Sequence, residues 1–193
     1  METLQSILEN NFYMTWESEP GIGTDKGGYI GEHDYVKGFY EQEFVRYQDK
    51  DVTLLEIGIF GGASLDLWSR YFTKAQITGI DVADNIDSKY RNLDRVTHII
   101  NDAYDQNFSD TLPNFDIVID DGPHTLDSML KCIDLYLPKV NDGGVFIIED
   151  VQDTSWFTVL TDRVPEELKS NIQYLDIREN KGRWDDLMFI IRK

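Results

Sequence analysis

Cysteine is almost missing from this chain: Cys132 stands alone among 193 residues, so no internal disulfide can form. Its place in the apolar pattern of TLDSMLKCIDLYL marks a buried, inert thiol, and the redox compartment stays open. Basic residues are scarce too. Lys and Arg number 18 against 36 Asp and Glu, a formal net charge of −18. A surface that tracks a phosphate backbone needs clustered cations to displace counterions, so nucleic acid is excluded as an expected partner. Long apolar runs are lacking: no segment approaches the roughly 18 residues of a membrane span. The opening METLQSILENNFYMTW also lacks the basic start and apolar stretch of a leader. The expectation is a soluble, cytoplasmic protein with no membrane partner.

Repeats, low-complexity tracts and Pro/Ser-rich linkers are absent as well, which leaves hydrophobic period as the guide to organisation. The length suits one domain, and 41% hydrophobic with 12% aromatic residues can fill one core. Residues 1–50 carry a short helical start (Leu4, Ile7, Leu8) and a longer helical pattern (Val36, Phe39, Tyr40, Phe44, Tyr47), with a glycine-rich stretch between them. From Val52 the runs VTLLEIGI, AQITGIDV, VTHII, FDIVIDD and GGVFIIED read as buried strands, each ending on or near an acid. Helical patterns alternate with them, at Leu65, Trp68, Tyr71 and Phe72 and again at Leu126, Met129, Leu130, Ile133 and Leu137. This βαβ rhythm predicts an α/β fold with a mostly parallel sheet. IQYLDIREN and DDLMFIIRK, separated only by KGRW, predict a C-terminal antiparallel hairpin. Ligands of such sheets bind beyond the carboxyl ends of the strands, where the strand order reverses.

Two phosphate cradles are excluded. A G-x-G-x-x-G starting at Gly58 fails at Phe60, and no G-K-[ST] loop occurs. What stands there is Glu56, Gly58 and Gly62, an E-x-G-x-x-x-G at a strand-to-helix turn. It resembles the first motif of Rossmann-like S-adenosylmethionine-dependent methyltransferases. There the glycines admit close approach of a ligand without a pyrophosphate, and Glu56 can meet the ammonium of its methionine part; the bland reading is a tight turn. Asp81 can accept hydrogen bonds from ribose hydroxyls. Asp102 and Ala103 fall where this class contacts the adenine ring, with a helix N-cap by Asp102 or Asn101 as the alternative.

A sharper constellation joins IDDGPH to IIEDVQD: Asp120, Asp121 and His124 close one strand and Glu149 and Asp150 close the next. Oxygen ligands at neighbouring strand ends suit Mg²⁺ or a similar hard cation, and clustered carboxylates repel without a counter-charge. Caps and pairs with Lys or Arg are the alternative.

GTDK with HDY, LEIGIFGGASLDLW, GID, DDGPH and IIEDVQD, spread in order over residues 22–156, together resemble the metal-dependent sugar O-methyltransferases of macrolide biosynthesis, of the mycinamicin and tylosin type. The resemblance implies a class I methyltransferase fold with seven strands and helices on both faces. It implies Asp121, Glu149 and Asp150 as metal ligands and His124 as general base, with a second tier of the metal site as the other role for His124. It implies a cofactor pocket drawn from Thr24, Lys26, Glu56, Gly58, Gly62, Ser64, Asp81, Asp102, Ala103 and Asp120, with GTDK in a lid and Asp25 among the residues to watch. The partner is a small hydroxyl acceptor, a sugar or polyol, and a homo-oligomer is left open. Set against larger members, the expectation is a chain without an extra N-terminal domain and with a short segment after Trp156. His33 is read as packing or capping the next helix, His98 as sitting within a strand, and Trp156 as pocket wall or core. Rival functions are a catechol or phenol O-methyltransferase, an iron-dependent hydroxylase-like relative, and a non-catalytic cofactor-binding module.

Overall fold

The computed structural model describes residues 2–11, 24–27 and 33–193. Most of the glycine-rich stretch around residues 24–27 lies outside the described residues. In chain order the elements are α1 (Leu4–Asn11), a π-helical turn (Val36–Tyr40) running into α2 (Glu41–Phe44), β1 (Thr53–Ile57), α3 (Ala63–Tyr71), β2 (Gln76–Asp81), β3 (Val96–Ile100), α4 (Gln106–Ser109), β4 (Phe115–Asp120), α5 (Leu126–Tyr136), β5 (Val140–Ile148), α6 (Trp156–Arg163), β6 (Ile172–Asp176), α7 (Arg178–Lys181) and β7 (Leu187–Arg192). The seven strands form one sheet in the order β3-β2-β1-β4-β5-β7-β6. β1 to β5 pair in parallel, whereas β7 runs antiparallel between β5 and β6.

Side-chain alternation along the central strands builds two cores. Leu54, Ile117, Ile147 and Ile190 face the layer that holds α1 and α3. Leu55, Val118, Phe146 and Phe189 face the layer that holds α5 and α6. Both faces being covered explains why these strands read as continuous apolar runs. Each fully buried Leu, Ile or Phe contributes roughly 1.5–3 kcal/mol, so the sheet centre is the stable platform on which the strand ends are mounted.

Two local expectations change. The single helix expected after Val36 begins as a π-helical turn. In an α-helix, residues five apart differ by about 140° around the axis, whereas i→i+5 hydrogen bonding draws Tyr35 and Tyr40 toward one face. Their hydroxyls meet Asp150 and Glu149, adjacent residues beyond β5. The run IQYLDIREN is strand only to Asp176, whose carboxylate accepts the Arg178 N–H and turns the chain into α7, which Gly182 ends with φ +76°. No helix among the described residues is long and apolar enough to cross a membrane.

Candidate active site

The chain order reverses between β1 and β4, and a cavity of about 860 Å³ opens beyond the carboxyl ends of these strands. Its walls are the loops after β1, β2, β3 and β4, including Gly58, Ser64, Asp81, Asp102, Ala103, Asp121 and His124, with Thr24 and Asp25 on the remaining side. The ladders continue one residue past the strands: the Gly58 N–H donates to Ile80 O (2.9 Å), the Asp121 N–H to Ile57 O (2.8 Å) and the Glu149 N–H to Asp120 O (3.0 Å). These bonds hold the chain level at the rim.

Gly58 is required by contact as well as by its φ of +83°, since a Cβ there would lie 1.9 Å from Asp121 O. Phe60, which occupies the place of a fingerprint glycine, has φ +42° and is 72% exposed. Asp81 holds this turn: its Oδ2 accepts the N–H groups of Ile59 (3.1 Å) and Phe60 (2.9 Å), and its Oδ1 accepts that of Ala83 (3.0 Å). A carboxylate has about four acceptor positions, so capacity for ribose hydroxyls is left on the cavity wall.

Behind the wall lies a buried ion cluster. The Lys26 ammonium, fully buried, donates to Asp121 Oδ2 (2.8 Å) and Glu149 Oε2 (2.5 Å) and lies 3.2 Å from Glu56 Oε1. Burial works against its charge and the three carboxylates overcome it, so its pKa stands well above the ordinary value. Glu56 Oε2 accepts from Ser64 Oγ (2.8 Å) and Trp68 Nε1 (3.1 Å). Glu149 Oε1 accepts from Tyr40. Burial drives the Glu56 and Glu149 carboxyls upward despite Lys26. Burial also opposes ionisation of Asp121, but Lys26 and His124 bring its carboxyl below the usual range. The counter-charge that the acidic cluster requires is thus supplied in part from within the chain.

A second group joins Asp121 and His124 on the cavity wall to buried Asp150, which is not part of that wall. Ligand atoms of Asp121, His124 and Asp150 lie within 4.8 Å of one another. His124 Nε2 is 3.1 Å from Asp121 Oδ1 and 3.4 Å from Asp150 Oδ2. Burial opposes the imidazolium, the two carboxylates outweigh it, and the His124 pKa lies above 6.5. Burial and the Asp121 charge push Asp150 up to about 6. His124 (φ +52°) and Asp150 (φ +53°), like Phe60, adopt left-handed backbone that side chains rarely take. Such conformations persist where surrounding structure enforces them, commonly at functional sites.

Not every expected residue reaches the cavity wall. Asp120 points behind it, accepting from Tyr104 Oη (2.6 Å), and burial lifts its carboxyl to about 6. Glu56, Lys26 and Gly62 are also off the wall; Gly62 (φ +87°) caps α3. Both oxygens of Glu149 are engaged by Lys26 and Tyr40, which directs it away from the Asp121, His124 and Asp150 group. Thr24, Ser64, Asp81, Asp102 and Ala103 do line the cavity. The cap of α4 is Asp105, leaving Asp102 to accept the Tyr104 N–H (2.9 Å). Trp156 starts α6 against the core. His98 stays on β3. His33 does not cap a helix: it reaches Asp150 and Asp186. Sequence reasoning missed Tyr40, Tyr104 and Asp186 and quoted Tyr35 only within HDY; the further signal of the tyrosines was a polar tip within an apolar pattern.

A seven-stranded sheet of this order, with a glycine turn after β1 and acids ending β2, β4 and β5, defines the Rossmann-like methyltransferase fold. The chain belongs to the family described as "Methyltransferase domain", which matches residues 55–151. It is 35% identical to 8-demethyl-8-alpha-L-rhamnosyl tetracenomycin-C 2'-O-methyltransferase of Streptomyces olivaceus, over 69% of this chain and 36% of that protein. It is 34% identical to mycinamicin VI 2''-O-methyltransferase of Micromonospora griseorubida, over 61% of this chain and 31% of that protein. It therefore matches only about a third of the length of these relatives. Among solved structures, MycE methyltransferase from the mycinamycin biosynthetic pathway, in complex with Mg and SAH, superposes with a TM-score of 0.67 at 26% identity, over 88% of this chain and 50% of that one.

Proposed function

We propose that this chain is a cytoplasmic, single-domain S-adenosylmethionine-dependent O-methyltransferase that uses Mg²⁺ or a similar divalent cation and methylates a hydroxyl of a sugar or related small molecule. The observation that carries the reading is contiguity: Asp121 and His124 belong to the same cavity wall as Gly58, Asp81, Asp102 and Ala103. A methyl donor in that cavity and an acceptor hydroxyl at the carboxylates are thereby neighbours. The relatives named above are O-methyltransferases of a rhamnosyl tetracenomycin and of mycinamicin VI, and the rhamnosyl acceptor favours a sugar over a catechol. The metal-capable groups among the described residues, Asp121 with His124 and Asp150, and His33 with Asp150 and Asp185, hold one histidine each, short of the two that non-haem iron oxygenases use. The net charge of −18 disfavours a nucleic-acid acceptor.

The residues fit both groups. S-adenosylmethionine supplies an electrophilic methyl group, and a divalent cation supplies positive charge that favours an ionised hydroxyl. Asp121 and Asp150 hold the cation. Gly58 admits the donor against the strand ends, Asp81 accepts from its ribose hydroxyls, and Ala103 packs against its ring. His124 takes the acceptor's proton at Nδ1, because its Nε2 faces Asp121 Oδ1, the contact that orients the imidazole. Lys26 neutralises Glu56 and Glu149 behind the wall and so limits mutual repulsion. Positioning and charge stabilisation supply most of the acceleration.

Incubation of the protein and Mg²⁺ with methyl-labelled S-adenosylmethionine, offering simple rhamnosides, other glycosides and catechol side by side, tests the assignment. Label on a glycoside hydroxyl is expected. Label on catechol alone would replace the sugar reading with the phenol one.

A further inference from the structure

Tyr35 and His33 meet Asp150 at the same oxygen, Oδ1. The Tyr35 hydroxyl donates to its Oδ1 (2.5 Å) and accepts its backbone N–H (3.3 Å). His33 Nε2 lies 3.3 Å from the same Oδ1. The other ring nitrogen, Nδ1, lies 2.6 Å from Asp186 Oδ1. The imidazole is 3% exposed and stacks on Tyr35, with ring centroids 4.6 Å apart and planes 11° apart. Asp186 is fully buried just before β7, and its second oxygen has no partner. Asp150 Oδ2 is left to face His124.

From this geometry we infer that His33, anchored by Asp186, is a positioning residue that clamps Asp150 Oδ1 and thereby presents Oδ2 to the cation. The inference rests on the reading above that Asp121 and Asp150 hold a divalent cation. The terminal torsion of an aspartate is broad, so an Asp150 held by Tyr35 alone is freer to rotate and offer either oxygen. Water is a poor substitute, because the space between the Asp150 and Asp186 carboxylates is filled by a ring that separates two like charges. Outer partners of metal-binding side chains typically change metal affinity 10–100-fold when lost.

The test is calorimetric titration of Mn²⁺, and separately of S-adenosylhomocysteine, into the full chain and into His33→Phe, His33→Gln and Asp186→Asn. His33→Phe is expected to weaken Mn²⁺ binding by about tenfold or more, Asp186→Asn by less, and His33→Gln, which keeps a donor, to recover part of the loss. S-adenosylhomocysteine affinity should stay unchanged in all three. Unchanged Mn²⁺ affinity in the variants overturns the inference, as does a parallel fall in S-adenosylhomocysteine affinity, which marks general damage. Two Mn²⁺ per unaltered chain, one of them lost in His33→Phe, also overturns it, by making His33 a ligand. If His33→Phe fails to fold, Asp186→Asn decides by the same criteria. An unaltered chain that binds no Mn²⁺ removes the cation site and this inference together, whereas normal binding by chain and variants alike removes only the inference.

Discussion

Lys26 Nζ lies 2.5 Å from Glu149 Oε2, and both groups are buried. The pair joins residues 123 positions apart and ties residues 24–27 to the carboxyl edge of the sheet. Removing one partner of a buried ion pair leaves an uncompensated charge, at a cost of about 3–5 kcal/mol. Lys26→Met should therefore be destabilised by about that amount in urea denaturation. Adding Glu149→Gln to it should restore part of the loss, which additive single effects would not do.

Carboxylates with a free face toward His124 should matter most for the cation. Asp121→Asn and Asp150→Asn are expected to abolish Mn²⁺ binding with little change in S-adenosylhomocysteine affinity. Glu149→Gln, whose oxygens serve Lys26 and Tyr40, should weaken Mn²⁺ binding less than either. Calorimetry on the three variants gives the order.

Gly58→Ala combines a Cβ 1.9 Å from Asp121 O with a φ of +83°. The backbone strain alone costs of order 1–3 kcal/mol, and relieving the clash must move the Asp121 loop. Cofactor binding and cation binding should fall together in this variant, in contrast to the carboxylate variants.

Titration behaviour differs between two neighbouring residues. Asp120 is raised by burial from 3.8 to about 6, so the folded chain keeps a proton that the unfolded chain loses between these values. Stability from this group falls as pH rises through that window. Asp120→Asn removes the effect, and its stability relative to the parent should rise by about 2 kcal/mol from pH 4 to pH 7. His124, raised above 6.5, contributes stability that is present below about 6.5 and lost as pH climbs through its folded value. In NMR titration without cation its midpoint should exceed 6.5, and added Mg²⁺ should lower it.

Much of this architecture was legible in the linear pattern. Apolar runs ending on or near acids marked β1 to β5, most clearly the central strands, which are covered on both faces and have no polar alternation to blur them. Failure of the fingerprint at Phe60 turned the reading of the glycine break away from a pyrophosphate. What escaped is long-range. Nothing local to GTDK says that Lys26 crosses 123 residues to Glu149, and Tyr35 and Tyr40 resemble core aromatics until the π-helical turn aligns them. The Asp186–His33 contact spans 153 positions, beyond reach of any spacing argument. Pairing with Lys or Arg, the alternative for these carboxylates, holds in part, since Lys26 meets Glu56, Asp121 and Glu149.

The most direct measurement is the melting temperature with S-adenosylhomocysteine or NAD, each with and without Mg²⁺. A ligand at a hundredfold excess over its dissociation constant adds about 2.7 kcal/mol, a rise of about 5–10 °C for a domain of this size. The account predicts that rise with S-adenosylhomocysteine, a further increment with Mg²⁺, and no response to NAD. A rise with NAD and none with S-adenosylhomocysteine would contradict it.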